Sequence, residues 1–246
     1  MVIKTWCGAL LFLLAAVSAF AAEPVNDAVA VQLLDRMSAV IGELGSCSFT
    51  LASSNDVIDQ DHGLVTRCGL HEVHMVGPDR MLVNSRLDDL HHGYWYNGKT
   101  ITYYSYDENN YAIVKAPDSI LGTIDAINRD YGVDFPAADF FFPNFTDDLI
   151  DGSDEIRYLG KRIVDGQPCF HILAASRETR IQFWIADDAL NLPVRYSIMR
   201  TGKSGTTQFT GTFSNWLLNP ELPTAMFDFS PPLSATEITL MPKKGR

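Results

Sequence analysis

In this 246-residue chain 30 acidic side chains stand against 19 basic ones, for a formal charge of −11. Nucleic-acid phosphates require clustered Lys and Arg, so that class of partner is excluded, and adhesion to an anionic bilayer surface has no support either. With 46% hydrophobic residues the chain has enough apolar material for a substantial core.

The chain opens as an export signal. Lys4 supplies a positive end, Trp6 to Phe20 is a short apolar run, and Ala19-Phe20-Ala21 has the form a signal peptidase reads. Cleavage is expected after Ala21, giving a periplasmic protein whose residues 22–246 form one domain. No later segment is long enough to span a membrane. Asp27 then caps a helix reaching about Glu43, with Leu33, Leu34, Met37 and Ile41 on one stripe. Strands are predicted from Cys47 to Ser53 and from Leu64 to Val76, around a polar loop, Ser53 to His62. Cys47 and Cys68 lie equally far from the Val57-Ile58 midpoint of that loop. A hairpin centred there puts them in disulfide range and leaves Cys169 free.

A strand from Met81 to Ser85 follows, then a hairpin. Tyr94-Trp95-Tyr96 is one arm, Asn97-Gly98 a type I′ turn, and Lys99 to Tyr106 the other arm. Tyr94, Tyr96, Ile101 and Tyr103 then share one face; Trp95, Thr102, Tyr104 and Tyr106 share the other. After a third strand, Tyr111 to Lys115, Ser119 caps a helix to Tyr131 bearing Ile120, Ile124 and Ile127. Pro136 starts a helical turn over Ala137 to Phe142. The acidic stretch Asp147 to Glu155 reads as a surface connection. A meander completes the chain: Ile156–Val164, an Asp165-Gly166 turn, Cys169–Ala175, Ile181–Ala186, Leu192–Arg200 and Thr207–Leu218. The expectation is a mainly β, α+β fold, with helices packed over an open curved sheet.

Chemical motifs are sparse. His71 and His74 are three apart on a strand, point to opposite faces and cannot share a metal ion; both read as strand-surface histidines. His91-His92 reads as a solvated turn with Asp88-Asp89. Asp147 to Glu155 fails the calcium-loop spacing at Leu149 and Tyr158. Gly202-Lys203-Ser204 lacks the first glycine of a phosphate loop, since Ser197 stands there, and reads as a hairpin loop. No G-x-S-x-G occurs. No catalytic, metal or cofactor site is expected. The end Lys243-Lys244-Gly245-Arg246 reads as a solvated tail.

Longer runs of residues carry a resemblance. Pro78-Asp79-Arg80, Tyr96-Asn97-Gly98-Lys99-Thr100, Phe135-Pro136-Ala137-Ala138-Asp139, Asp165-Gly166-Gln167-Pro168-Cys169 and Phe227-Asp228-Phe229-Ser230-Pro231-Pro232 are similar to DUF2092, a family of exported bacterial proteins of the LolA/LolB-like group. The resemblance implies an open antiparallel half-barrel with helices in its concave face and an apolar cavity between. The function expected is non-catalytic binding or carriage of a lipid, an acyl chain or a lipoprotein. The other reading is a module that contacts a second envelope protein. Candidate cavity residues are Phe49, Leu51, Met75, Leu82, Tyr96, Ile101, Tyr103, Ile124, Ile127, Phe140, Phe141, Phe183, Tyr196 and Phe213. Arg80 is the candidate contact for a polar head group.

Overall fold

The computed structural model describes residues 25–202 and 205–243. The export signal with its cleavage point, the loop residues Lys203 and Ser204, and the last three residues of the basic tail lie outside the described residues. Thirteen strands form one sheet. They are β1 (Val25–Asn26), β2 (Ser46–Asp59), β3 (Gly63–Val76), β4 (Arg80–Leu87), β5 (Leu90–Tyr96), β6 (Thr100–Ser105) and β7 (Asn110–Lys115), then β8 (Glu155–Val164), β9 (Gln167–Ala175), β10 (Thr179–Ala186), β11 (Pro193–Gly202), β12 (Gly205–Leu218) and β13 (Thr236–Glu237). Their spatial order is β1-β8-β9-β10-β11-β12-β2-β3-β4-β5-β6-β7-β13. Every neighbour is antiparallel except the two-residue outer strands, β1 on β8 and β13 on β7. The order runs from one end to the other without closing, so the sheet is a half-barrel.

Three helices lie in its concavity: α1 (Ala28–Gly42), α2 (Ile120–Tyr131) and α3 (Phe145–Asp151), with a 3₁₀ turn at Ala138–Phe141. The caps act as expected. Asp27 accepts from the Val29 N–H and Ser119 from the Gly122 N–H, and Gly132 ends α2 in the left-handed region. One apolar cluster joins Leu34, Met37 and Ile41 of α1, Ile124 and Ile127 of α2, and Phe140 to Leu51, Met81, Tyr96, Phe183 and Phe213 of the sheet. Phe140 is central, with ring centroids 5.1 Å from Phe145, 5.1 Å from Tyr196 and 5.4 Å from Phe213.

The convex face is covered in part by the C-terminal segment. Phe227 is buried, and the Phe229 ring sits 4.9 Å from Trp95, 5.3 Å from Tyr104 and 5.6 Å from Tyr111. The two-face division of the aromatic hairpin is therefore as expected, although the turn is not. Tyr96 pairs with Ile101, and only Gly98 has positive φ. Asn97 instead uses its side-chain oxygen to accept from the Lys99 and Thr100 N–H groups. The register moves by an even number of residues, which preserves the faces. The true type I′ pair is Asp165-Gly166, with φ of 49° and 84°.

Two further expectations are corrected. The stretch read as the polar loop 53–62 is mostly strand, and the β2–β3 hairpin turns at residues 60–62, where Asp59 pairs with Gly63. That register puts Cys47 opposite Met75 and Cys68 opposite Ser54. The two cysteines are thus separated by seven strand positions, roughly 23 Å at about 3.3 Å per residue, and no disulfide joins them. Cys47 is buried, Cys68 exposed and Cys169 buried, all as free thiols. The acidic connection is also no loop. Phe145 and Leu149, one helical turn apart, turn 145–151 into α3 and bury its apolar side.

Candidate functional site

The inner face of β2 to β5 divides into two ends. At one end Cys47, Phe49 and Leu51 on β2, Val73 and Met75 on β3, Met81 and Val83 on β4, and Tyr96 on β5 are buried in the central cluster. Two strand positions further along β2, β3 and β4, and four along β5, the inward residues become polar. β2 presents Ser53 and Asn55, β3 presents His71 and Arg67, β4 presents Ser85, and β5 presents His92. Here the helices do not fill the concavity. A cavity of about 820 Å³ remains, walled by the sheet, by α2 and by residues 134–139. Its apolar sides include Tyr94, Phe135, Ile124, Tyr196, Ile198 and Phe209. Tyr94 and Phe135 meet edge to face at 5.1 Å, joining sheet to lid. A side pocket of about 360 Å³ under Phe142, Phe145 and Phe183 shares Tyr196, Ile198 and Asp139 with it.

The polar wall is ordered by the strand register. His71 pairs with Ser85, Ser85 with His92, and His92 with Ser105, so these residues form one row across β3, β4, β5 and β6. His71 is 3% exposed. Its Nε2 lies 3.0 Å from the Ser53 hydroxyl and its Nδ1 2.8 Å from the Ser85 hydroxyl. Gly69 makes this possible, because a Cβ there would come within 2.7 Å of Ser53 Oγ and 2.9 Å of His71 Nε2. Burial, with the neighbouring His92, lowers the His71 pKa to about 4, and burial also lowers that of His92. Both rings are neutral at pH 7. One nitrogen of His71 therefore donates while the other accepts.

The cavity's charged residues are Arg67 and Arg200 against Asp88, Asp89, Asp125, Asp134 and Asp139. Burial raises the Asp139 pKa above the usual carboxylate range, opposed by Arg200 and reinforced by Asp134, Asp125 and Asp148. Among the described residues no group of three His, Cys, Asp or Glu side chains has metal-binding geometry. No described helix is long and apolar enough to cross a membrane.

Half of the cavity residues expected from the sequence pack into the interior instead of lining open space. Phe49, Leu51, Tyr96, Ile101, Ile127 and Phe213 belong to the packed cluster, and Tyr103 packs on Tyr94 at 5.5 Å. Ile124 and Tyr196 border the large cavity. Phe140 and Phe183 line the side pocket, while Met75 and Phe141 line a separate groove of about 280 Å³ beside α1. Leu82 is misplaced: it pairs with His74 and Trp95 on the convex face, outside the concavity. Arg80 pairs with Asp79 at 2.7 Å and lines none of these cavities. His74 does point outward, where its Nδ1 lies 2.8 Å from the Ser48 hydroxyl. His71 and His92 are not surface or turn residues, since both face inward on strands. The period-two signal was present: they stand four residues from Met75 and two from Tyr94, each on the inner face.

An open antiparallel half-barrel, lidded by helices over a part-filled concavity, is the class of structure that results. The chain belongs to the DUF2092 family of predicted periplasmic proteins, whose model matches residues 30–241. It is similar in shape to the lipoprotein LppX of Mycobacterium tuberculosis, at 16% identity over 80% of this chain and 99% of that one, TM-score 0.47. LprF from Mycobacterium bovis gives 14%, 81% and 98%, TM-score 0.46. The MucA/MucB complex of Pseudomonas aeruginosa gives 14%, 82% and 62%, TM-score 0.42. No curated protein matches the sequence.

Proposed function

We propose that this protein binds a hydrophobic ligand, a lipid or other acyl-chain compound, in the cell envelope, shielding it from water without transforming it. The observation that carries this reading is the cavity of about 820 Å³ left between the concave face and the α2 lid. Its size is that of a ligand site, and an ordinary core would have closed it by packing. The aromatic and aliphatic walls suit an acyl chain. The histidine with the firmest hydrogen bonds, His71, titrates near 4 and is a poor general base at neutral pH, which supports binding over catalysis. Ligand entry would displace part of the lid, of which α2 buries only four of its twelve residues.

Uptake of an uncharged hydrophobic fluorophore, N-phenyl-1-naphthylamine, tests the reading. Saturable binding is expected, displaced by lauroyl glycerol and abolished by Ile198→Trp, which fills the cavity from its β11 wall. Absence of saturable binding by the folded protein contradicts it. A second reading, contact with another envelope protein, rests on a different feature. Ile58 and Leu64 pair across the far end of the β2–β3 hairpin, both more than half exposed. Loss of partner capture in the double variant Ile58→Ser/Leu64→Ser, with fluorophore uptake intact, would favour it.

A further inference from the structure

The polar row on the cavity wall differs from the rest of the concave face. Apolar residues would serve a plain acyl cavity better, because burying polar side chains costs free energy unless they are hydrogen-bonded. Here three hydrogen-bonding side chains are tied together at the boundary between packed core and open space. Ser53, His71 and Ser85 form a chain with contacts of 3.0 and 2.8 Å, and the backbone gives up a side chain at Gly69 to admit it. A neutral His71 donates to one serine and accepts from the other. The serine that accepts keeps its own O–H to give, and the serine that donates keeps a free lone pair. The chain therefore offers one donor and one acceptor, without net charge. His92 continues the row and lines the same cavity.

The surrounding charge is unfavourable to anions. Five aspartates and two arginines border the cavity, and one of the aspartates, Asp139, lies in the field of Arg200 and of three carboxylates, Asp134, Asp125 and Asp148, of which the first two are among the five. A phosphate or carboxylate entering here would meet like charge in a partly desolvated space, where repulsion is weakly screened.

We propose that Ser53, His71 and Ser85 form the head-group site of this cavity, and that it takes an acyl ligand through an uncharged hydrogen-bonding group, an ester, amide or hydroxyl, in preference to a carboxylate or phosphate. This rests on the reading of the cavity as an acyl site and adds the chemistry of the ligand's polar end. It assigns a binding role to residues that otherwise have only a structural one.

The test uses ligands with one chain and different heads. Lauroyl glycerol, N-lauroyl ethanolamine, laurate and dodecyl phosphate compete at pH 7.5 against N-phenyl-1-naphthylamine bound to the purified protein. The two uncharged compounds are expected to bind roughly tenfold or more tightly than the two anions. In the double variant Ser53→Ala/Ser85→Ala this preference should shrink to within about threefold, with a wild-type circular dichroism spectrum and a cooperative urea transition as proof of an intact fold. Should that variant fail to fold, Ser85→Ala alone serves, with a smaller loss expected. Equal or tighter binding of laurate or dodecyl phosphate overturns the head-group assignment, and so does a preference that survives the serine substitutions. Both results leave the cavity reading standing. Failure of the wild type to take up fluorophore defeats that reading and this one together.

Discussion

The two ends of one concave face make an instructive comparison. β2 contributes Cys47, Phe49 and Leu51 at one end and Ser53, Asn55 and Val57 at the other, on the same side of the same strand. At the first end α1 and Phe140 pack against the strand in the central apolar cluster. At the second end the lid stands off, the side chains turn polar, and about 820 Å³ stays open. Folding free energy is thus concentrated where the helices touch the sheet. The end without close packing is the one proposed to bind.

The comparison sharpens first at the filled end. Phe140→Ala removes the ring that meets Phe145, Phe183, Tyr196 and Phe213 and should cost about 3–5 kcal/mol in urea denaturation. Val57→Ala, at the open end, should cost less than about 1 kcal/mol, since its side chain lacks a close-packed shell. Comparable losses from the two substitutions would erase the distinction.

A pH titration breaks the comparison along a second line. The folded His71 pKa of about 4 lies below the ordinary value of 6.5. Below pH 6.5 the unfolded chain takes up a proton that the folded state refuses. The His71 contribution to stability is therefore complete above pH 6.5 and is lost as pH falls from 6.5 towards 4. Between pH 7 and pH 4 the wild type should lose about 3 kcal/mol more than His71→Asn does, read as the difference of the two urea-denaturation profiles. Parallel profiles would mean that the imidazole is solvated.

Gly69→Ala probes the boundary itself. Its new Cβ would push Ser53 away from His71, leaving a buried ring nitrogen unpaired at a cost of about 1–3 kcal/mol. An unchanged midpoint would show that the contact is dispensable.

The smallest effect concerns the thiols. Exposed Cys68 should react with a maleimide in the native protein, while Cys47, whose pKa burial pushes up to about 12, and Cys169 should react only after unfolding. Recovery of a peptide linking Cys47 to Cys68 without reduction would contradict the β2–β3 register.

This same contrast governs what could be read from the residues alone. The filled end was legible: α1, α2, the aromatic hairpin with its two faces, and the meander after Ile156 all follow apolar periodicity, and the half-barrel follows from the family resemblance. The open end was not. Ser53-Ser54-Asn55-Asp56 imitates a loop because one side of that strand faces the polar cavity wall and the other side faces solvent, so no apolar alternation survives. A strand that reads as a loop moves the expected turn too early in the chain, and the expected Cys47–Cys68 pairing moves with it. The large apolar residues point to a cavity among themselves, yet half of them pack into the interior, and the largest space lies one or two strand positions beyond these. α3 is hidden for a similar reason, since its three aspartates conceal the Phe145 and Leu149 spacing. Leu82 is apolar enough to read as a concavity residue, although its neighbours Met81 and Val83 hold that face.

Native mass spectrometry of the protein purified from its own periplasm, joined to hydrogen exchange before and after lipid extraction, tests the central claim most directly. The account predicts a bound acyl compound that enters the organic extract. It also predicts that the amides of residues 120–131 exchange faster once that compound is gone, while those of β2 to β4 stay protected. A bare polypeptide mass, with α2 exchanging as slowly as the central strands and unmoved by added lauroyl glycerol, would contradict it.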